Sequence, residues 1–324
     1  SALPAPYPER EQIDLTKGIG GGRFAGRREL TLDLETCKRR YWEEKDLEGA
    51  VRCFGDKRID FPDEPLLYYE LARIYEDAGS PERAREHYAL ALRYDPENST
   101  YRQAVAVADV KTAEKLREAG DLRDARDLLL QTVKRFPEMV AAHRELAKVY
   151  IQDAQRQESQ LGEGGGTEQQ FAEIAQAYEN AETVYSDVVR LAPDNAKDWY
   201  NLGVAVQNQY DDAKIASAIQ AYEKCIELDP NYAPAHRNLA ILYESRSVDK
   251  AVQHHLKALS IARTQSDAES LALVTNTLRD LGSLYWRIGE TDKAAQYLTE
   301  YLQYVPTDTE VEGILSQITS VPPN

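Results

Sequence analysis

The sequence predicts an all-α solenoid of stacked helical hairpins, and three observations carry that prediction. An alanine returns seven times in one fixed place, at Ala50, Ala84, Ala125, Ala181, Ala218, Ala251 and Ala294. A proline follows twelve residues later in six of the seven, at Pro62, Pro96, Pro137, Pro193, Pro230 and Pro306, while Arg263 holds the remaining slot. Around each alanine the apolar residues recur at helical spacing.

The segment from Pro65 to Asn98 shows the unit without insertion, in 34 residues. Tyr68, Leu71, Ala72 and Tyr75 form one apolar face, Gly79 breaks the chain, Ala84, Tyr88 and Ala91 form a second face, and Pro96 ends it. Antiparallel helices approach to about 8–10 Å only where the facing side chains are small. Ala72 and Ala84 meet that demand, Tyr75 and Tyr88 fill the space toward the next hairpin, and Pro96 cannot extend the N–H ladder of the second helix. One hairpin cannot bury both of its faces, so stacking is expected.

These residues resemble the tetratricopeptide repeat, whose pattern runs aromatic, Leu, Gly or Ala, and Tyr in the first helix, then Ala, aromatic, Ala and Pro in the second. The stretches WYNLGVAV from Trp199 and LGSLYWRIGETDKAAQYL from Leu281 carry the likeness most plainly. The resemblance implies a right-handed superhelix of about seven hairpins plus a C-terminal capping helix, acting as a non-enzymatic scaffold for protein partners. Its units fall at 31–64, 65–98, 106–139, 140–195, 196–232, 233–265 and 275–308, with 309–324 as capping helix and tail.

Residues 1–30 lie outside the repeat. They are rich in proline and glycine, and from Lys17 to Arg28 they carry Lys17, Arg23, Arg27 and Arg28 with no acid, so an extended basic arm is expected. The glycines of that arm lack the spacing and the following Lys-Ser or Lys-Thr of a phosphate loop and read as a tether. The first unit departs from the pattern at Lys38 and Lys57, and the third at Thr112 and Thr132, which predicts looser packing there.

The fourth unit is longer than the repeat requires, around LGEGGG. Its flanks keep helical periodicity, with Phe171, Ile174, Ala175 and Tyr178 as an apolar stripe, so both helices are expected to run on into a spur tipped by Gly164, Gly165 and Gly166. Thr100 with Gln103, Ser266 with Glu269, and Thr307 with Glu310 read as capping boxes; the last precedes a helix with Val311, Ile314, Leu315 and Ile318 on one face. That helix is expected to cap the core.

A net charge of −16 argues against a general nucleic-acid binder. No apolar run reaches the roughly 20 residues of a membrane span. A soluble, cytoplasmic protein is favoured; the alternative is an extracytoplasmic domain, because the chain begins at Ser1 and is expected to lack its native N-terminus. Cys37, Cys53 and Cys225 fall on core-like slots and are expected as buried free thiols, although Cys37 and Cys53 share a hairpin.

The sequence presents no nucleophile elbow, HExxH or CxxC motif, and no catalytic or cofactor-binding residue is expected. His236 and His255 occupy aromatic slots and His254 is adjacent; ring-for-ring substitution is expected rather than a metal site.

The resemblance places the concave surface near the second, fifth, ninth and twelfth places of each first helix. Arg39, Arg73, Arg117, Arg144, Lys148, Lys197, Arg237 and Arg279 stand there against Glu35, Glu76, Glu114 and Glu244, inverting the sign of the whole chain. An acidic or C-terminal peptide segment is therefore the expected ligand, with Asn201 and Asn238 bonding its backbone. The Lys, Asn, Asn, Lys, Arg clamp of chaperone-binding relatives is matched only at Asn201. Trp42 and Trp286 read either as anchors at the groove ends or as packing against a neighbouring helix. One alternative is a self-assembling scaffold, associating through the basic arm or the spur; another is the partner-binding part of a larger enzyme or membrane-anchored complex.

Overall fold

The computed structural model describes residues 23–161, 165–209 and 211–320. Among them every regular element is helical. The chain divides into two units at Ala108 and Asp109. The first holds α1 (Arg23–Trp42), α2 (Leu47–Asp60), α3 (Pro65–Asp77), α4 (Pro81–Tyr94) and the start of α5 (Ser99–Ala119). The second holds the rest of α5, then α6 (Leu122–Arg135), α7 (Val140–Ser159), α8 (Glu168–Leu191), α9 (Ala196–Gln207), α10 (Ile215–Leu228), α11 (Ala233–Tyr243), α12 (Val248–Ala262), α13 (Ala268–Arg287), α14 (Thr291–Tyr304) and α15 (Thr309–Ser320). Helices pair in order: α1 with α2, α3 with α4, α7 with α8, α9 with α10, α11 with α12 and α13 with α14, with α15 against α14. Ala113 of α5 packs with Leu122, Ala125 and Leu129 of α6.

The recurring alanine is the point of closest packing. All seven copies are 0–1% exposed. At Gly203 of α9 the partner is the Tyr222 ring, so close that a Cβ would lie 2.6 Å from Cε1, and at Gly282 it is Leu298. Gly203 is thus covered by Tyr222, one turn beyond Ala218. Between paired helices, Gly79, Gly120 and Gly289 adopt φ of 72°, 88° and 82°. The Ser80 N–H can then reach the Tyr75 carbonyl at 2.9 Å and close the end of α3.

The second helices α2, α4, α6, α8, α10 and α14 each stop two residues before their proline. At four of these prolines the carbonyl then takes a donor from the next first helix, six residues on. Tyr68 Oη donates to Pro62 at 2.6 Å, His143 Nε2 to Pro137 at 2.9 Å, Trp199 Nε1 to Pro193 at 2.7 Å and His236 Nε2 to Pro230 at 3.1 Å. Three ring types make one joint, which explains why histidine stands in an aromatic slot.

A second recurring bond closes three of the hairpins internally. The hydroxyl of Tyr88 donates to Glu76 at 2.8 Å and that of Tyr222 to Gln207 at 2.8 Å, while His255 Nε2 meets Glu244 at 3.1 Å. A buried hydroxyl without a partner costs about 1–3 kcal/mol, so in these hairpins the end of the first helix must supply an acceptor.

Several expectations are corrected. Residues 23–30, assigned to an extended arm, are helical at the start of α1; the remainder of that arm, residues 1–22, lies outside the described residues. Cys37 and Cys53 form a disulfide with Cα atoms 5.4 Å apart, so only Cys225 is a buried free thiol. Lys57 is accommodated by an ion pair with Asp33. Thr132 is buried rather than loosening its hairpin, because its hydroxyl reaches Asp109 at 3.2 Å and the Leu128 carbonyl at 2.9 Å.

The three capping boxes shift to neighbouring side chains. Asn98 accepts from the Thr100 N–H, Asp267 from Ser270 and Asp308 from Val311, at 3.1, 2.9 and 3.1 Å. Asn and Asp cap as well as Ser or Thr, and the carboxylates also favour the positive helix end. A full capping box does form at Thr167 and Gln170, opening α8. In the spur Ile174, Ala177 and Tyr178 are buried with Ala154, but Phe171 is 48% exposed. Tip residue Gly164 lies outside the described residues. No described helix is long and apolar enough to cross a membrane.

Ala218→Leu is expected to destabilise the protein by about 1–3 kcal/mol, since the slot is fully enclosed by Val206, Tyr222 and Cys225. A melting temperature within a degree or two of the parent's would contradict this packing.

Candidate functional site

The face built by the first helices of the second unit carries Arg144 and Lys148 on α7, Lys197 and Asn201 on α9, Arg237 and Asn238 on α11, and Arg279 and Trp286 on α13. Arg39 and Trp42 on α1 and Arg73 on α3 belong to the first unit.

The arginines are not open cations. Arg144 grips Asp198 of α9 with two nitrogens, Nε at 2.9 Å and a terminal nitrogen at 2.6 Å from the same oxygen, and Asp198 is 4% exposed. Arg237 Nε reaches Asp280 of α13 at 2.7 Å, and Arg279 reaches Glu310 of α15 at 2.7 Å. Arg117 of α5 pairs with the buried Glu145 of α7, which also receives Lys148 at 2.9 Å. In the first unit Arg73 meets Glu70 at 3.2 Å, and Arg39 lies 3.9 Å from Glu43. The expected excess of positive charge is therefore largely cancelled by Glu70, Glu145, Asp198, Asp280 and Glu310, acids that stand beside the places read from the repeat pattern.

Both asparagines serve buried tyrosines. Asn238 Nδ2 donates to the Tyr222 hydroxyl at 3.1 Å and also stands beside Tyr200, while Asn201 stands beside Tyr185. Burial pushes the Tyr222 and Tyr185 hydroxyls well above their ordinary pKa, so both stay protonated, and Tyr222 donates to Gln207. Glu244 is buried enough to raise its carboxyl, but the bonds from His255 and Arg287 outweigh that and hold it below its ordinary value.

The two tryptophans differ. Trp286 is half-buried against the cluster of Leu281, Tyr285 and Leu298, whereas Trp42 is 38% exposed and meets Tyr41 edge-on at 4.9 Å. Tyr41 itself donates to Asp77 at 2.7 Å; burial and that carboxylate push it up to about 12. Among the described residues no three His, Cys, Asp or Glu side chains converge as a metal site.

Models of the tetratricopeptide repeat match residues 41–108, 110–159, 199–232, 221–259 and 277–311. The chain belongs to the tetratricopeptide repeat family, a class of protein-interaction scaffold. No curated protein matches it at significant sequence similarity.

Among solved structures it is similar to the C-terminal part of a TPR repeat-containing protein from Cytophaga hutchinsonii, at 15% identity and TM-score 0.55, over 87% of this chain and 99% of that one. IFIT1, as a monomeric mutant with Gppp-AAAA, gives 16% and 0.50 over 89% and 61%. MamA protein gives 21% and 0.49 over 63% and 94%.

Removing Arg144 leaves the Asp198 carboxylate buried and unpaired. Arg144→Ala should cost about 3 kcal/mol of stability, and adding Asp198→Ala should recover much of it. Equal melting of the single variant and the parent would show that the pair is not a structural joint.

Proposed function

We propose that the chain is a non-enzymatic scaffold that holds an extended segment of a protein partner along α7, α9 and α11. The observation that carries this reading is a division of labour on that face. Its fifth, sixth and twelfth places are taken by joints between helices, such as Arg144, Asn238 and Gln207. The second and ninth places hold Lys197, Lys148, Val204 and Ile241, which are exposed or half-exposed.

Two lysines beside two aliphatic side chains suit a segment that presents a carboxylate next to apolar residues. The carboxylate can be a side chain or a free C-terminus; Lys197 receives it, with Lys148 beside it on the exposed side of its Glu145 pair, in place of Arg144 and Arg237, which hold joints between helices. With four cations on these helices facing Glu145, Asp198 and Asp280, the field is weakly positive, so selectivity comes from the two lysines. A phosphate-rich ligand like the one in the IFIT1 structure fits poorly, because such ligands need clustered Lys and Arg unmatched by carboxylates.

The test is selection from a displayed peptide library with free C-termini. Enrichment of carboxylate-bearing peptides, weakened by salt and lost in Lys148→Glu/Lys197→Glu with helicity unchanged, supports the reading; screening over about 8 Å makes such exposed contacts salt-sensitive. Binders retained by the double variant would place the site elsewhere, at the spur or on the second-helix surface.

A further inference from the structure

Three of the five histidines lie in the α11–α12 hairpin, and two of them touch. His236 Nδ1 of α11 and His254 Nδ1 of α12 are 3.1 Å apart. His236 Nε2 is committed as a donor to the Pro230 carbonyl, so its Nδ1 accepts and His254 Nδ1–H donates. One proton therefore bridges the rings. Both nitrogens of His236 are thereby committed, so a proton added at its Nδ1 would set two N–H groups against each other at hydrogen-bond distance, whereas one added at His254 Nε2 would leave the bond in place.

We infer that the His236–His254 pair is an acid-released latch: it holds α11 to α12 while His236 is neutral, and a proton taken up at His236 Nδ1 in acid drives the rings apart and loosens this hairpin alone. The inference stands independently of the binding face, although α11 also carries Arg237 and Asn238.

The surroundings favour the neutral pair. Against His254 stand Glu223 of α10, which favours its charged form, and Lys250, His255 and His236, which oppose it. Burial adds most and lowers its pKa to about 4. His236 is lowered chiefly by burial, with Lys257 opposing charge and Asp229 of α10 favouring it. Tyr243 stacks on His254 with ring planes 9° apart and donates to Glu223 at 3.0 Å, while Lys250 sits 4.7 Å from the centre of the Tyr243 ring. From α13, Arg287 engages Glu244, the partner of His255, whose Nδ1 is buried with no hydrogen-bond partner.

The sign follows from linkage. Burial holds the folded His236 below the ordinary 6.5 and lowers the folded His254 to about 4, so as pH falls below 6.5 the unfolded state binds more protons than the folded one. The pair's contribution is complete above about pH 6.5 and is lost as pH falls toward 4.

His254→Gln tests this, because the amide can still donate to His236 Nδ1 but cannot titrate; His236→Tyr, which borrows the ring used at Tyr68, is the second variant. Between pH 6.5 and 4 the parent's unfolding constant should rise more steeply than that of either variant, by up to about tenfold per pH unit. At pH 5, intrinsic-rate-corrected hydrogen exchange should lose protection in α11 and α12 relative to α13 and α14 in the parent and not in the variants. Imidazole NMR of the parent should show neither ring titrating near 6.5. Parallel slopes, loss of protection spread evenly along the chain, or a His254 titration near 6.5 would each overturn the latch.

Discussion

The rest of the structure depends on the closeness of paired helices at the recurring alanine. Because nothing larger than a methyl group stands at Ala218 or Ala251, the second helix comes near enough for a ring one turn on to lie against its partner: Tyr222 covers Gly203, and His255 is fully enclosed. A ring that deep brings its polar atom out of water. Where the ring carries a polar atom, as at Tyr88, Tyr222 and His255, the end of the first helix offers an acceptor, and Glu76, Gln207 and Glu244 supply it. Three hairpins hold Phe54, Leu129 or Leu298 in the same slot, side chains with no polar atom to satisfy, and there the end position carries Trp42, Arg117 or Trp286. No acceptor stands where no ring needs one.

Hairpins and their order were legible because the signals are local. Alanine, ring and proline repeat at fixed offsets within about 34 residues, and helix periodicity lies inside each window. The joints were harder to read. Asp198 lies 54 residues after Arg144, and Asp280 lies 43 after Arg237, so no periodic reading of one unit shows that the acid at the start of one helix answers the arginine of an earlier one. Counting charges place by place within a unit missed these acids because they occupy adjacent places. The proline-to-ring joint was visible in outline, since Tyr68, His143, Trp199 and His236 all stand six residues after a proline, but the chemistry common to them appears only when each donates to a carbonyl.

Cysteine was misread for a different reason. A buried slot in a helical repeat is normally a place for a small apolar residue, and Cys225 behaves so: burial pushes its thiol up to about 12. Cys37 and Cys53 occupy comparable slots, yet the first hairpin also carries Lys38 and Lys57 where small residues belong. There the helices are joined by the disulfide and by the Lys57–Asp33 pair in place of the usual contacts. Unit-by-unit departures from a repeat are therefore informative together: two polar intrusions and two cysteines in one hairpin describe a single alternative way of holding it.

The fifth place of the first helix shows how joint chemistry limits the surface left for a partner. Where it is tyrosine, as at Tyr69 and Tyr200, the ring fills the gap between successive hairpins by meeting Tyr88 and Tyr101, or Tyr222 and Tyr232, at 5.0–5.8 Å. Where it is arginine, as at Arg144, Arg237 and Arg279, the gap is bridged by an ion pair to the next first helix. Both solutions remove the fifth place from recognition, since altering it disturbs the stack itself. On α7, α9 and α11 the exposed Lys148 and Lys197 stand outside the joints between hairpins, although Lys148 meets Glu145 within its own helix, whereas Val204 packs against the buried cluster around Tyr222. The surface such a stack leaves open on its first helices is therefore narrower than the repeat pattern alone would offer.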